Sequence, residues 1–267
     1  MVITSLQNTT VKAVVQLSNK ASARKASGKF VVEGMREVQQ CIGAGYKVET
    51  LFLCRDMLSV PLPSDILSQT QVVEVSAAVY RKMAYRESTE GVIAVVENKE
   101  IHLEDLAHED NPLYVVLESV EKPGNLGAIL RSADAAHVSA VIVCDAHHDF
   151  GNPNLIRSSL GARFTVPLVG CTSEECIQFL KNRGVQILTA QLQDSHLYYT
   201  TDMVKPTAIV MGTESTGLTD VWRAAADAHI RIPMLGNLDS LNVSVSTAIL
   251  LFEAVRQRHL SGDIRFK

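Results

Sequence analysis

Short apolar runs broken by polar turns fill this chain, and their rhythm changes near residue 113. Upstream, Lys29–Val32, Thr50–Leu53, Gln71–Val75 and Val92–Val96 read as strands, and helical spacing fits Val11–Leu17 and Met35–Ala44. The pattern predicts a small α/β domain over residues 1–97 with a sheet of its own. The stretch Glu97–Pro112 is polar and acidic, which marks 98–111 as a linker. Beyond it, Leu113–Leu117, Ala140–Cys144, Val185–Thr189, Thr207–Met211 and His229–Ile232 are apolar throughout, as strands buried on both faces are. Helical stretches at Leu126–His137, Ser173–Asn182 and Val243–Arg258 lie between or after them. This alternation predicts an α/β fold over 112–267, a mostly parallel sheet with helices on both faces. Ligands in such sheets bind at the carboxyl ends of the strands.

Three loops that follow predicted strands hold unusual residues. After the Leu113 strand, Pro123-Gly124 signals a turn, and Asn125 is placed to cap a helix. That helix carries Leu126, Ile129, Leu130 and Ala133 as one apolar stripe, with Arg131 off the stripe. After the Thr207 strand, Gly212 and Gly217 allow close backbone approach to a ligand, while Thr213 or Ser215 caps the next helix and Glu214 offers an acid. After the His229 strand the chain stops at Pro233 and turns at Gly236-Asn237. Ser240, Asn242 and Ser244 then open a helix, more polar groups than one cap requires. Gly124 and Gly127 do not form GxGxxG, so a nicotinamide-dependent dehydrogenase is excluded.

Composition adds limits. With 46% apolar and 20% charged residues the 267-residue chain is globular, and no apolar run reaches the ~20 residues of a membrane span. The start lacks a secretory pattern, so a cytoplasmic protein is expected. Five scattered cysteines form no CxxC and no zinc spacing, which suits buried thiols in a reducing compartment and no metal. His147-His148 beside Asp149 reads better as a polar loop than as a metal site. Net charge is −4, yet residues 1–40 hold six basic and two acidic residues, leaving −8 for the remainder. A basic end on an acidic chain points to a phosphate-bearing partner met by that end.

The residues of the three loops resemble the SpoU (TrmH-type) RNA ribose 2′-O-methyltransferases of the SPOUT superfamily. The likeness is carried by Asn125-Leu-Gly-Ala-Ile-Leu-Arg-Ser-Ala133, Met211-Gly-Thr-Glu-Ser-Thr-Gly217, Ile232-Pro-Met234 and Ser240-Leu-Asn-Val-Ser244. A weaker match covers Asn152–Ala162. Phe30-Val-Val-Glu-Gly34 is similar to the family's substrate-binding extension, a small ribosomal-protein-like α/β domain. The chain departs from the family pattern in four places: Glu118 replaces Asp, Lys122 replaces an acid before the proline, Ser215 replaces Gly, and the polar loop Tyr85-Arg-Glu-Ser-Thr-Glu-Gly91 before the last strand of the first domain is altered.

The resemblance implies a deep trefoil knot of SPOUT type in the C-terminal domain, a homodimer, no membrane association, and S-adenosylmethionine as the only cofactor. It places Gly212, Ile232, Met234, Leu241, Asn242 and Ser244 in cofactor binding, with Asn242 and Ser244 shaping the loops. It makes Arg131 catalytic, helped by Asn125, Glu214 and Ser240. A guanidinium is a poor proton acceptor, so clamping the phosphate beside the target ribose is the preferred role for Arg131. The basic residues Arg24, Lys25, Lys29 and Arg36 would meet RNA phosphates. The expected activity is methyl transfer to a ribose 2′-hydroxyl of 23S ribosomal RNA. The alternatives are a transfer-RNA methyltransferase and a non-catalytic RNA-binding protein on the same fold. Deleting residues 1–97 would then spare cofactor binding and abolish RNA methylation.

Overall fold

The structure is a computed structural model describing residues 2–58, 70–85, 90–146, 149–213 and 216–264. The chain divides into two compact units: Met1–Lys99 with Asp149–Thr165, and Glu100–His148 with Val166–Lys267.

The first unit is built on a five-stranded mixed sheet. Its strands are β1 (Val2–Ile3), β2 (Lys29–Glu33), β3 (Val48–Leu53), β4 (Gln71–Val75) and β5 (Val92–Glu97), in the order β1-β4-β3-β5-β2. β3 runs parallel to β4 and antiparallel to β5, and β5 pairs antiparallel with β2. Side chains alternate between faces. Phe30, Val32, Leu51 and Leu53 enter one core, while Val31, Phe52, Ile93 and Val95 enter the other. The helices Thr9–Asn19 and Ala77–Met83 cover the second face through Val11, Val14, Val79 and Tyr80.

The first face is covered by the helix Met35–Gly43 and by a distant piece of chain, 149–165, with short helices Pro153–Ser159 and Ala162–Thr165. Ile156 and Phe164 lie in the same core as Phe30 and Tyr46. Phe164 stacks on Phe30, with ring centroids 6.3 Å apart, and meets Tyr46 edge-on at 5.4 Å. A Cβ on Gly151 would lie 2.6 Å from Phe30 Cβ. The sequence reading placed 149–165 in the second domain. Period alone does not show which sheet buries a helix, and contact with Phe30 and Tyr46 decides it.

The second unit holds a seven-stranded, wholly parallel sheet: β6 (Leu113–Glu118), β7 (Ala140–Cys144), β8 (Leu168–Cys171), β9 (Gln186–Ala190), β10 (His196–Leu197), β11 (Thr207–Met211) and β12 (Ala228–Arg231). Their order is β10-β12-β9-β11-β6-β7-β8. The helix Ser173–Asn182 and Trp222 pack one face with Val116, Ile142 and Val210. Trp222 Nε1 donates to Ser173 Oγ at 2.7 Å, so the indole is buried with its donor matched. On the other side the helix Pro123–Ala135 packs on the helix Val243–Ser261. The buried Arg258 anchors that last helix, donating to the carbonyls of Met203 (3.1 Å), Asn111 (2.9 Å), Pro112 and Lys205 (both 3.0 Å).

Residues 100–111 are not a loose tether. They belong to the second unit, where Leu103 and Leu106 are buried in its core. Glu104, Asp105, Glu109 and Asp110 stay exposed, and these acids gave the segment its linker-like composition.

Candidate active site

Three loops leave the carboxyl edge of the second sheet. After β6, Pro123 takes the first helical position, where its missing N–H is harmless. Asn125 therefore lies inside the first turn, not at the cap as its residue type suggested; Lys122 is the cap residue. The Asn125 side chain accepts a hydrogen bond from Asn242 Nδ2 at 3.2 Å. Leu126, Ile129, Leu130 and Ala133 are buried and Arg131 is exposed on the opposite side of the helix. The Arg131 guanidinium makes no hydrogen bond or ion pair among the described residues.

Glu118 ends β6 and is buried. Its carboxylate accepts from Thr219 N at 2.8 Å and Thr219 Oγ1 at 2.6 Å. Thr219 is the cap of the helix Asp220–Ala225, so an acid from the first loop fixes the end of the second. Sequence reading gave Glu118 no role; its departure from the family pattern was the one available signal.

In the second loop Gly212 is required by the loop itself. A Cβ there would lie 2.4 Å from Gly217 C and 2.5 Å from Gly217 O. Gly217 has φ +68°, a left-handed backbone that glycine favours. Thr213 does not cap the following helix. It closes the loop, accepting from Thr216 N at 3.1 Å and from Gly217 N through its carbonyl at 3.1 Å. Glu214 and Ser215 lie outside the described residues.

Asn242 caps the helix Val243–Ser261 and accepts from Ser244 N at 2.9 Å and Ser244 Oγ at 2.6 Å. One orphan amide of the helix start is thereby occupied.

A cavity of about 350 Å³ sits where the second and third loops meet, over the carboxyl ends of β9, β11 and β12. Gly212, Ile232, Met234, Leu241 and Ser240 all line it; Asn242 and Ser244 stand behind it as the cap. Its volume suits a small-molecule ligand. Gln191 Oε1 and Arg223 Nε are buried without a hydrogen-bond partner among the described residues, and both residues line this cavity. Both residues bring polar side chains to the wall of the cavity. Sequence reading missed both, because neither belongs to a motif. Met211, Leu218, Ile230 and Leu250 supply apolar walls.

Of the four basic residues expected to meet RNA, Arg24 is not available. Its guanidinium is buried, pairs with Asp149 through both carboxylate oxygens, and donates to Leu17 O at 2.5 Å. Burial of a charge requires such matching, and Arg24 is a structural residue of the first unit. Lys29 is paired with Glu49 at 2.7 Å. Lys25 and Arg36 are exposed. His147 and His148 lie outside the described residues.

Residues 112–252 match the profile of the SpoU rRNA Methylase family, and residues 8–94 match that of the MRM3-like substrate binding domain. The chain is 39% identical over 181 residues to the 23S rRNA (guanosine-2′-O-)-methyltransferase RlmB of Vibrio parahaemolyticus, covering 66% of this chain and 73% of the relative. It is 30% identical over 256 residues to the 23S rRNA (uridine(2479)-2′-O)-methyltransferase of Streptomyces viridochromogenes, covering 92% and 88%. A crystal structure of an AdoMet-bound rRNA methyltransferase from Sinorhizobium meliloti superposes with a TM-score of 0.88 at 31% identity, covering 96% and 97%.

Proposed function

The chain belongs to the SpoU rRNA methylase family, and from that premise we propose that it transfers a methyl group from S-adenosylmethionine to a ribose 2′-hydroxyl of 23S ribosomal RNA. The observation that carries this reading is the cavity over β9, β11 and β12, lined by residues of the second and third motifs. The helix bearing Arg131 packs on the helix that leaves that cavity.

S-adenosylmethionine supplies a sulfonium methyl when bound. Gly212, Ile232, Met234 and Leu241 would hold it, with Gln191 and Arg223 meeting its polar groups. The chain's own residues must then present a hydroxyl in line and see its proton removed. The exposed Arg131 carries a planar fork suited to two phosphate oxygens. Clamping the phosphate beside the target ribose leaves a phosphate oxygen or a water to take the proton. Asn125, Ser240 and Glu214 orient the ribose and the guanidinium in this reading. RNA affinity comes from Lys25 and Arg36, with Lys29 joining at the expense of its exposed pair to Glu49.

The C-terminal segment threads a loop as a deep trefoil knot, and the working form is a cytoplasmic homodimer. Leu235 and Leu238 are strongly exposed, and Val245 and Phe252 present an apolar stripe on the last helix; a second copy would cover these. No described helix is long and apolar enough to cross a membrane.

The test is methylation of purified 23S rRNA and transfer RNA with methyl-labelled S-adenosylmethionine, followed by mapping of alkali-resistant linkages. A resistant linkage in 23S rRNA is expected. Label in transfer RNA alone overturns the choice of substrate, and no label in either RNA overturns the enzymatic reading.

A further inference from the structure

Three of the five cysteines, distant in sequence, converge at the carboxyl edge of the second sheet, away from the cavity. Cys144 ends β7 and Cys171 ends β8, and the two are direct partners in the parallel ladder. Thr172 then caps the helix Ser173–Asn182 through a capping box with Glu175. Cys171 thus sits just before the cap and Cys176 four residues inside it, positions that meet across a capped helix start. The three Sγ atoms all lie within 4.8 Å of one another, with Cys144 and Cys171 at 3.9 Å. Cys144 and Cys176 are fully buried, and Cys171 is partly exposed.

Packing at such a helix start needs only small apolar side chains, and valine or alanine would serve. Thiols at all three positions make a matched donor set. A cation bonded to three sulfurs at about 2.3 Å holds them about 3.8–4.0 Å apart, so the cluster needs to close by less than ~1 Å. The start of the helix contributes partial positive charge, which favours thiolate beside it.

We propose that Cys144, Cys171 and Cys176 form a trithiolate site for a soft closed-shell cation of the zinc(II) class. Three S–H protons leave to solvent as three metal–sulfur bonds form, and no electron moves. A water completes the coordination on the Cys171 side, where the cluster reaches solvent. The bound ion would tie β7, β8 and the helix Ser173–Asn182 together. The site uses none of the cavity residues, so its failure leaves the methyltransferase reading intact.

The experiment titrates the full-length, reduced, chelator-stripped protein with Cd²⁺ under anaerobic conditions. One equivalent should saturate a sulfur-to-cadmium charge-transfer band, raise the melting temperature and protect Cys171 from alkylation. Cys171→Ser, at the partly exposed position, should weaken binding at least about tenfold while Cys41 and Cys54 remain. Absence of the band at one equivalent overturns the proposal. So does an equal band in Cys171→Ser. Should that variant fail to fold, alkylation of the wild-type protein decides: Cys171 that reacts at the same rate with and without Cd²⁺ refutes the site.

Discussion

Asn242 Nδ2 donates to Asn125 Oδ1 at 3.2 Å while Asn242 Oδ1 accepts from Ser244 N at 2.9 Å. One side chain thus caps the last helix and ties it to the helix that bears Arg131. The two duties use different atoms, so they separate by substitution. Asn242→Ala should lower stability by about 1 kcal/mol through the lost cap. Asn242→Asp keeps the cap acceptor and removes the amide donor, so it should hold the melting temperature and still reduce turnover. Thermal unfolding and methyl transfer, measured together, check this.

Gly212→Ala should raise the dissociation constant for S-adenosylmethionine at least about tenfold, because the new Cβ meets Gly217 backbone at 2.4 Å and the loop must shift. Gly124→Ala is the control. It lies in the first turn of Pro123–Ala135 with nothing within 4 Å of an added Cβ, so its cofactor affinity should be unchanged. Calorimetric titration of both variants reads the difference.

Arg131→Lys should cut turnover at least about tenfold and leave cofactor affinity alone, since lysine keeps the charge and loses the fork. Full turnover by this variant would contradict a bidentate clamp. Single-turnover kinetics at saturating RNA measure it directly.

Deleting residues 1–97 should yield an aggregating protein, not a cofactor-binding core. The deletion removes Phe30, Tyr46 and Gln40, against which Phe164, Arg163 and Gly161 are packed. Soluble yield and size-exclusion chromatography test this. A soluble, cofactor-binding truncation would show that 149–165 folds without those partners.

Acid should loosen the last helix. Arg256, with Gln257, holds the Glu253 carboxyl below its ordinary 4.5. A lowered carboxyl contributes stability that is present above about 4.5 and lost as pH falls through its folded value. Gln257 also donates to Thr201 O at 3.0 Å and accepts from Met203 N at 2.8 Å, so the loss should reach that loop. Glu253→Gln should be less stable than wild type near neutrality and converge with it in acid, once the carboxyl is protonated in the folded chain, as denaturant melts at several pH values would show.

Much of this was legible along the chain. The strands at Leu113, Ala140 and Thr207 announced themselves because burial on both faces demands an unbroken apolar run, and β6, β7 and β11 are buried at every position. The cavity residues Gly212, Ile232, Met234 and Leu241 were found through their motifs. Long-range pairing was not written there. Arg24 reads as a surface cation until Asp149, 125 residues away, is seen to bury it. Cys144, Cys171 and Cys176 read as scattered thiols until the parallel ladder sets two of them side by side. Local sequence fixes period, turn and cap, because those depend on neighbours a few residues apart. Which distant side chains share a site depends on strand register and helix docking, and only the folded chain decides these.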